Sequence, residues 1–307
     1  MTESASEGPR AVIAVISVFN APAELPARVE LALDQVDHVV LVDDGSHTVD
    51  RLDFASERVH TILLDENSGI ARALNVGIEH AVSLGATHLL TLDQDSDVRS
   101  DHVAQLLAAL DGEAERGSAP VVAAVPGRVG GAAIPMLKGE PLDPVQSGQL
   151  LIATAFRSVG GFREDLFIDA VDSEFTARAR SRGFRFVAVE ALAMDHSLGE
   201  LVPLRLFGRR LAWGGQERHA LYHRAFRTYY MVRNSSVVAR TYRRSQRRWV
   251  FLRNRRMLEL VVVGVLFGAH RKAQLRAILM GVRDARSSRL GRIPEGDRAM
   301  LARMEAV

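Results

Sequence analysis

The chain has 307 residues, enough for one large domain or two smaller ones with a sizeable core. Apolar residues make up 47% and charged residues 25%, which excludes a disordered chain, a collagen-like fibre and a multi-span membrane protein. There is no cysteine, so disulfide scaffolds, thiolate zinc sites and cysteine nucleophiles are excluded, and a reducing cytoplasmic setting fits. The net charge of +2 hides a split. Residues 1–200 hold 15 Lys+Arg against 31 Asp+Glu, a balance of −16, and residues 201–307 hold 24 against 6, a balance of +18.

In chain order, Met1 to Arg10 is polar and acidic, unlike a secretory signal. Ala11–Phe19 reads as a buried strand and Ala23–Leu33 as a helix entered through proline. Val39–Val42 is a strand that runs into the turn signal Asp43-Asp44-Gly45-Ser46. Val59–Leu64 is a third strand. Gly69–Leu84 reads as a helix with Ile70, Ala73, Leu74, Ile78, Ala81 and Val82 on one face. His88–Leu92 is a fourth strand leading directly into Asp93-Gln94-Asp95-Ser96, followed by a helix at about Asp101–Leu110.

Further along, Val121–Val125 is a strand, Pro126–Pro144 a Gly/Pro-rich loop or irregular hairpin, and Gln149–Phe156 a strand. Val171–Arg182 reads as a helix and Phe184–Val189 as a last strand. Beyond Pro203 the text turns to arginine-rich helical patterning, which puts a boundary between a catalytic region 1–200 and a basic helical region 201–307. The alternation of strands and amphipathic helices predicts an α/β fold around a mostly parallel sheet.

In open α/β sheets, ligands bind beyond the carboxyl ends of the strands. Phe19-Asn20, Asp43-Asp44 and Asp93–Asp97 all fall there, predicting one crevice lined with carboxylates. An anionic ligand enters such a crevice only with a cation, and hard oxygen donors favour Mg²⁺ or Mn²⁺. Asp93 and Asp95 suit an ion bridging the phosphates of a nucleotide, although Asp-x-Asp triplets also occur in plain turns. Asp169, Asp172 and Glu174 open a helix. They read either as helix-capping charges or as the source of a general base. His196 reads as a neutral-imidazole metal ligand or as a structural loop residue. Neither Gly-x-Gly-x-x-Gly after the first strand nor a Walker sequence is present, which argues against a dinucleotide dehydrogenase or a P-loop enzyme.

Several stretches now stand in a telling order: Val42-Asp43-Asp44-Gly45-Ser46, Asn67–Gly77, Leu92-Asp93-Gln94-Asp95-Ser96 and Ser147-Gly148-Gln149-Leu150. After them come Gly160-Gly161-Phe162, Phe167–Phe175, His196-Ser197-Leu198-Gly199 and Tyr229–Asn234. The series resembles the inverting nucleotide-sugar transferases of glycosyltransferase family 2, which have the GT-A fold. Asp-Gln-Asp-Ser is most similar to their rhamnosyltransferase branch. The resemblance implies a dTDP- or UDP-linked donor, with dTDP-rhamnose first and UDP-galactofuranose as the alternative. By the same token Phe19, Asn20, Asp44, Arg72, Asn75, Asp93 and Gln94 are donor-binding, and Asp95, His196 and Asp93 hold the metal. Asp172 is then the catalytic base with Asp169 its rival, and Gln149, Glu174 and Arg233 lie on the acceptor side. The rival classes are a sugar-1-phosphate nucleotidyltransferase, which wants a glycine-rich basic loop after the first strand, and a non-catalytic assembly protein.

The basic region mixes arginine with Trp213, Tyr222, Trp249, Phe251 and Phe267. Its longest apolar run, Leu260–Ala269, is half of the ~20 residues a spanning helix needs. Leu252–Ala269 therefore reads as a helix lying on an anionic membrane surface, on the inner face of the plasma membrane. That would suit a glycan or polyprenyl-linked acceptor. The alternative is a bundle face or a homo-oligomer contact. Nucleic acid is not an expected partner, since no recognition module is present.

Overall fold

The computed structural model describes residues 10–306 apart from 118, 195–199, 204, 207–208, 211, 214–215, 218 and 268–269. It divides into two compact units, Met1–Phe162 with Arg178–His196, and Arg163–Ala177 with Ser197–Val307.

The first unit is built on apolar strands, and the central ones, at 12–18, 38–43, 88–93, 121–129 and 149–152, are buried almost end to end, as strands covered on both faces must be. In order the elements are β1 (Val12–Val18), α1 (Leu25–Leu33), β2 (His38–Asp43), β3 (Val59–Leu63), α2 (Ile70–Ser83), β4 (His88–Asp93) and α3 (His102–Glu115). Then follow β5 (Val121–Val129), the short β6 (Ala132–Ala133), β7 (Met136–Leu137) and β8 (Glu140–Pro141), β9 (Gln149–Ile152), α4 (Ala153–Val159) and β10 (Arg185–Met194), while α5 (Val171–Ser181) starts in the second unit and ends in the first. The sheet runs β10-β5-β9-β4-β1-β2-β3, with β6 on β5. β3, β2, β1 and β4 are mutually parallel, as are β5 and β10, whereas β9 lies antiparallel between β4 and β5. Leu41, Leu90, Leu106 and Leu150 belong to its core. Helix α2 sits close on the sheet because position 77 is glycine: a Cβ there would come within 2.4 Å of Val15 Cγ1.

Three expectations are corrected. Gln149–Phe156 is not one strand: pairing stops at Ile152, and Ala153–Val159 turns helical with Ala153, Ala155, Phe156 and Val159 buried. The stretch from Pro126 is not all loop, since β5 continues to Val129 along β10, which itself reaches Met194.

Nor does helix begin after Pro203. Glu200–Pro203 (β11), Arg205–Leu206 (β12), Arg209–Arg210 (β13), Ala212–Trp213 (β14), Gln216–Glu217 (β15) and His219–Tyr222 (β16) pair as β11·β16, β12·β13 and β14·β15, all antiparallel. The helices of the second unit are α6 (Ala225–Tyr242), α7 (Arg247–Phe267), α8 (Arg271–Arg286) and α9 (Glu295–Glu305). Tyr229, Tyr230, Ala273, Ala277, Met280 and Leu301 form their core. Among the described residues no helix is long and apolar enough to cross a membrane.

Candidate active site

In the first unit, register brings the expected polar clusters to one edge. Val18 pairs with Asp43 and Ser17 with Asp93, so β1, β2 and β4 end together. Asp43, not singled out as a site residue, organises the turn after β2. Its Oδ1 accepts from the Ser46 N–H and hydroxyl, both at 2.7 Å, and its Oδ2 from the N–H groups of Thr48 (2.8 Å) and Val49 (3.1 Å). Burial pushes this carboxyl up, but the hydrogen bonds outweigh it and hold the group below its ordinary range. Asp44 is also buried. Its carboxylate takes the N–H groups of Ser68 (2.7 Å) and Gly69 (2.8 Å) at the start of α2, where negative charge is favoured.

Gly45 completes the turn at φ 74°, and a Cβ there would lie 2.3 Å from the Glu66 carbonyl carbon. Asn20 also has positive φ, and its N–H donates to Ser46 Oγ at 2.9 Å. Gln94 ties the end of β1 to the end of β4. Its Oε1 accepts from the Phe19 N–H (2.8 Å) and its Nε2 donates to the Phe19 carbonyl (3.1 Å). The Phe19 side chain is left exposed at this edge.

The Asp93–Ser96 turn is bolted to the segment before β9. Gln146 Nε2 donates to Asp93 Oδ1, the Asp93 N–H donates to Ser147 Oγ (3.0 Å), and Ser147 Oγ meets Ser96 Oγ (2.7 Å). Asp95 is exposed on the same turn, while Asp97 pairs with Arg28 Nε at 2.9 Å. Asp95 and Asp93 thus supply hard oxygen donors on one turn, matching the one or two carboxylates that Mg²⁺ takes when phosphate oxygens complete its shell. No group of three or more such ligands occurs among the described residues. His196, the expected third ligand, lies outside them.

Other assignments change meaning. Arg72 is exposed on the first turn of α2. Asn75, expected on the donor side, is buried, and its amide holds the Phe162 backbone. Gln149 is buried on β9 opposite Thr91; the side chains of that segment meeting the Asp93 turn are Gln146 and Ser147, the latter quoted in a motif but neither assigned a role.

In the second unit the acidic group is anchored by α6. Asp169 forms a two-point pair with Arg227, Nε to Oδ2 at 2.9 Å and NH2 to Oδ1 at 2.7 Å. Asp172 Oδ1 accepts the Ser173 N–H at 2.7 Å in the first turn of α5. Glu174 is buried and accepts from the Tyr242 hydroxyl at 2.7 Å. Arg233, expected on the acceptor side, is fully buried. It lies over the rings of Tyr229 and Tyr230, 5.2 and 4.8 Å from their centroids, and donates to the carbonyls of Gly291 and Leu166. Arg227, 58 residues from Asp169, had no local spacing to reveal it.

Residues 13–161 match the sequence model of glycosyl transferase family 2. Over 246 residues the chain is 27% identical to the dTDP-rhamnosyl transferase RfbF of Shigella flexneri, covering 75% of this chain and 80% of that protein. Among solved structures it is similar to TarS of S. aureus. Against residues 1–349 of TarS the TM-score is 0.54 at 13% identity, covering 90% of this chain and 80% of that one. Against the same fragment in complex with UDP it is 0.51 at 13% identity, covering 90% and 72%. Against a longer TarS chain it is 0.50 at 13% identity, and although 88% of this chain is covered it spans only 43% of that one. At this identity the likeness to TarS concerns the fold alone, a mostly parallel sheet flanked by helices.

Proposed function

We propose that the chain, whose residues 13–161 match the glycosyl transferase family 2 model, is a glycosyltransferase that moves L-rhamnose from dTDP-rhamnose to an acceptor hydroxyl, with inversion and with Mg²⁺ or Mn²⁺. The observation that carries the donor is the 27% identity to a dTDP-rhamnosyl transferase across four-fifths of that protein. In this reading the exposed Phe19 ring offers a face for the base, and Asn20, Asp44 and Gln94 shape the rim around it. Arg72 stands at the diphosphate side. Asp95 and Asp93 hold the divalent ion, with His196 as the third ligand. When bound there, the ion would supply positive charge against that building on the departing diphosphate.

Asp172 is the general base that takes the proton of the attacking hydroxyl. The Arg227 pair supports Asp172 over Asp169: a carboxylate whose two oxygens both accept from one guanidinium edge has its proton-accepting oxygens already committed.

The acceptor in this reading is a glycan or a polyprenyl-linked glycan at an anionic membrane surface. The face of α7 supports it. Phe251, Leu258, Val262 and Leu266 recur at helical spacing and are exposed, and Arg247 and Arg255 fall on the same face. Apolar side chains with arginines beside them suit a lipid interface, where each basic residue contributes about 1 kcal/mol. Sedimentation with phosphatidylglycerol vesicles but not with phosphatidylcholine, abolished by Leu258→Glu with Leu266→Glu, would bear this out. A concentration-dependent dimer that the same changes dissolve would replace lipid by a second copy of the chain.

The donor test is a screen of dTDP-rhamnose, UDP-galactofuranose, UDP-glucose and UDP-N-acetylglucosamine, with and without Mn²⁺, read as thermal stabilisation and slow hydrolysis. The expected result is a metal-dependent response to dTDP-rhamnose that Asp95→Ala removes. A response to a UDP-sugar instead would overturn the rhamnosyl assignment and keep the family.

A further inference from the structure

The loop that leads into α5 is strained and is held from one side. Phe167 has φ 67° and ψ −66°, and the Ile168 N–H closes back on the Leu166 carbonyl at 2.8 Å, a γ-turn of the rare, strained hand. Asp169 and Ala170 follow at φ 63° and 60°, so three non-glycine residues out of four lie in the left-handed region. Each such residue costs of order 1–3 kcal/mol and persists only where its surroundings over-determine it.

Here the surroundings are a single stripe of α6, at residues 227, 230 and 234. Arg227 grips the Asp169 carboxylate, and the Tyr230 ring stacks on Phe167 with centroids 5.3 Å apart and planes at 18°. Asn234 Nδ2 lies 2.8, 2.7 and 2.8 Å from the carbonyl oxygens of Leu166, Ile168 and Asp169. Arg233 Nε donates to Asn234 Oδ1 at 2.8 Å, which fixes the amide with its NH₂ toward the loop.

We propose that Asn234 is a positioning residue for transfer: by gathering those carbonyls it holds the strained loop in the one conformation that presents Asp172 at the start of α5. The inference rests on the reading of Asp172 as the base. The strain fits such a part, because a loop free to relax would let the base wander, and misplacing a catalytic group by about 1 Å costs roughly 10²-fold in rate. Arg233 acts through Asn234 and needs no contact with the acceptor, which accounts for a charged residue buried so completely.

The test is the full-length Asn234→Ala variant, with dTDP-rhamnose as donor and water as acceptor, and with rates normalised to the fraction of protein that binds dTDP. The expected result is kcat lower by roughly 10–100-fold, with the KM for donor and the affinity for dTDP within about twofold of wild type. A variant that is merely less stable would keep the wild-type kcat per binding-competent molecule, and that outcome overturns the proposal. Should Asn234→Ala fail to fold, Phe167→Gly serves in its place. Glycine accepts the positive φ without strain and drops the stack on Tyr230, so the loop is loosened while α6 stays intact, and the same separation of kcat from KM is expected. Unchanged kcat in Phe167→Gly would likewise overturn it. Asp172→Asn, run alongside, tests the base by itself: wild-type kcat in that variant would sink the base assignment, a result distinct from either.

Discussion

Asn75 holds the backbone of Phe162, 87 residues away, by both of its edges. Its Oδ1 accepts the Phe162 N–H and its Nδ2 donates to the Phe162 carbonyl, each at 2.8 Å and buried. The pair links α2 to the chain just past α4. Asn75→Ala strands two buried backbone groups at about 1–3 kcal/mol each. A loss of about 2–4 kcal/mol is therefore expected in urea unfolding, with the m-value unchanged. A loss below about 0.5 kcal/mol would mean that water replaces the amide at no cost.

Gln94 makes the corresponding closure at the donor edge. Gln94→Glu keeps an acceptor for the Phe19 N–H but sets a carboxylate against the Phe19 carbonyl. Losing one neutral hydrogen bond is worth about 0.5–1.5 kcal/mol, so dTDP affinity should weaken by roughly 3–10-fold. Titration calorimetry with dTDP reads this directly. Equal affinity would separate the Phe19 turn from nucleotide binding.

Asp172→Asn and Asp169→Asn should behave differently although the two residues are three apart. Removal of a general base costs about 10²–10⁴-fold, so Asp172→Asn should lose transfer while dTDP affinity stays within about twofold. Asp169→Asn keeps an oxygen for Arg227 and should retain a measurable fraction of the rate. The reverse order in single-turnover assays would exchange their roles.

Acid should destabilise the protein through His60. Burial, then the nearby His38 and His80, push its pKa below the ordinary 6.5. His60 Nε2 lies 3.1 Å from His38 Nδ1, and its ring is 5.3 Å from that of His80. The unfolded chain therefore binds protons more readily than the folded one near pH 6.5. The stability this group contributes is fully present above that value and is lost as pH falls toward the lowered folded value. His102, buried against the Gly148 carbonyl, shifts in the same direction, again chiefly through burial. Melting temperature should fall between pH 7.5 and 5.5, and His60→Gln should flatten part of that fall. A melting temperature that rises on acidification would contradict the shift.

The central strands of the first unit were legible because their apolar runs are dictated by burial on both faces. The meeting of Phe19, Asp44 and Asp95 at one edge was legible because parallel strands end together. What escaped had no local signature. Gln149–Phe156 reads as strand because so short an apolar run fits either period; what makes residues from Ala153 helical is the packing of Phe156 and Val159. The paired strands between 200 and 222 carry arginines, whose sequence fits a helix as well as a strand. Asp169 and Arg227 are joined only through tertiary contact, and the sequence of Arg233, a charged residue beside two tyrosines, describes a surface group as well as a buried one. The Tyr229–Asn234 stretch stood out as a motif, but that Asn234 turns its amide on the loop at 166–169 could be read only from coordinates.

The antiparallel β9 has a consequence for how the chain leaves the ribosome. β1 to β4 pair among themselves as soon as they emerge, but β5, made next, has no place beside β4 until β9 is inserted between them. Through the synthesis of some twenty residues after β5, the nascent sheet carries the open hydrogen-bonding edge of β4, a strand buried in the finished protein. Four residues, Gln149–Ile152, close that edge and seat β5 at once. They are the keystone of the sheet, and a fragment cut before them would keep a sticky margin that the whole chain conceals.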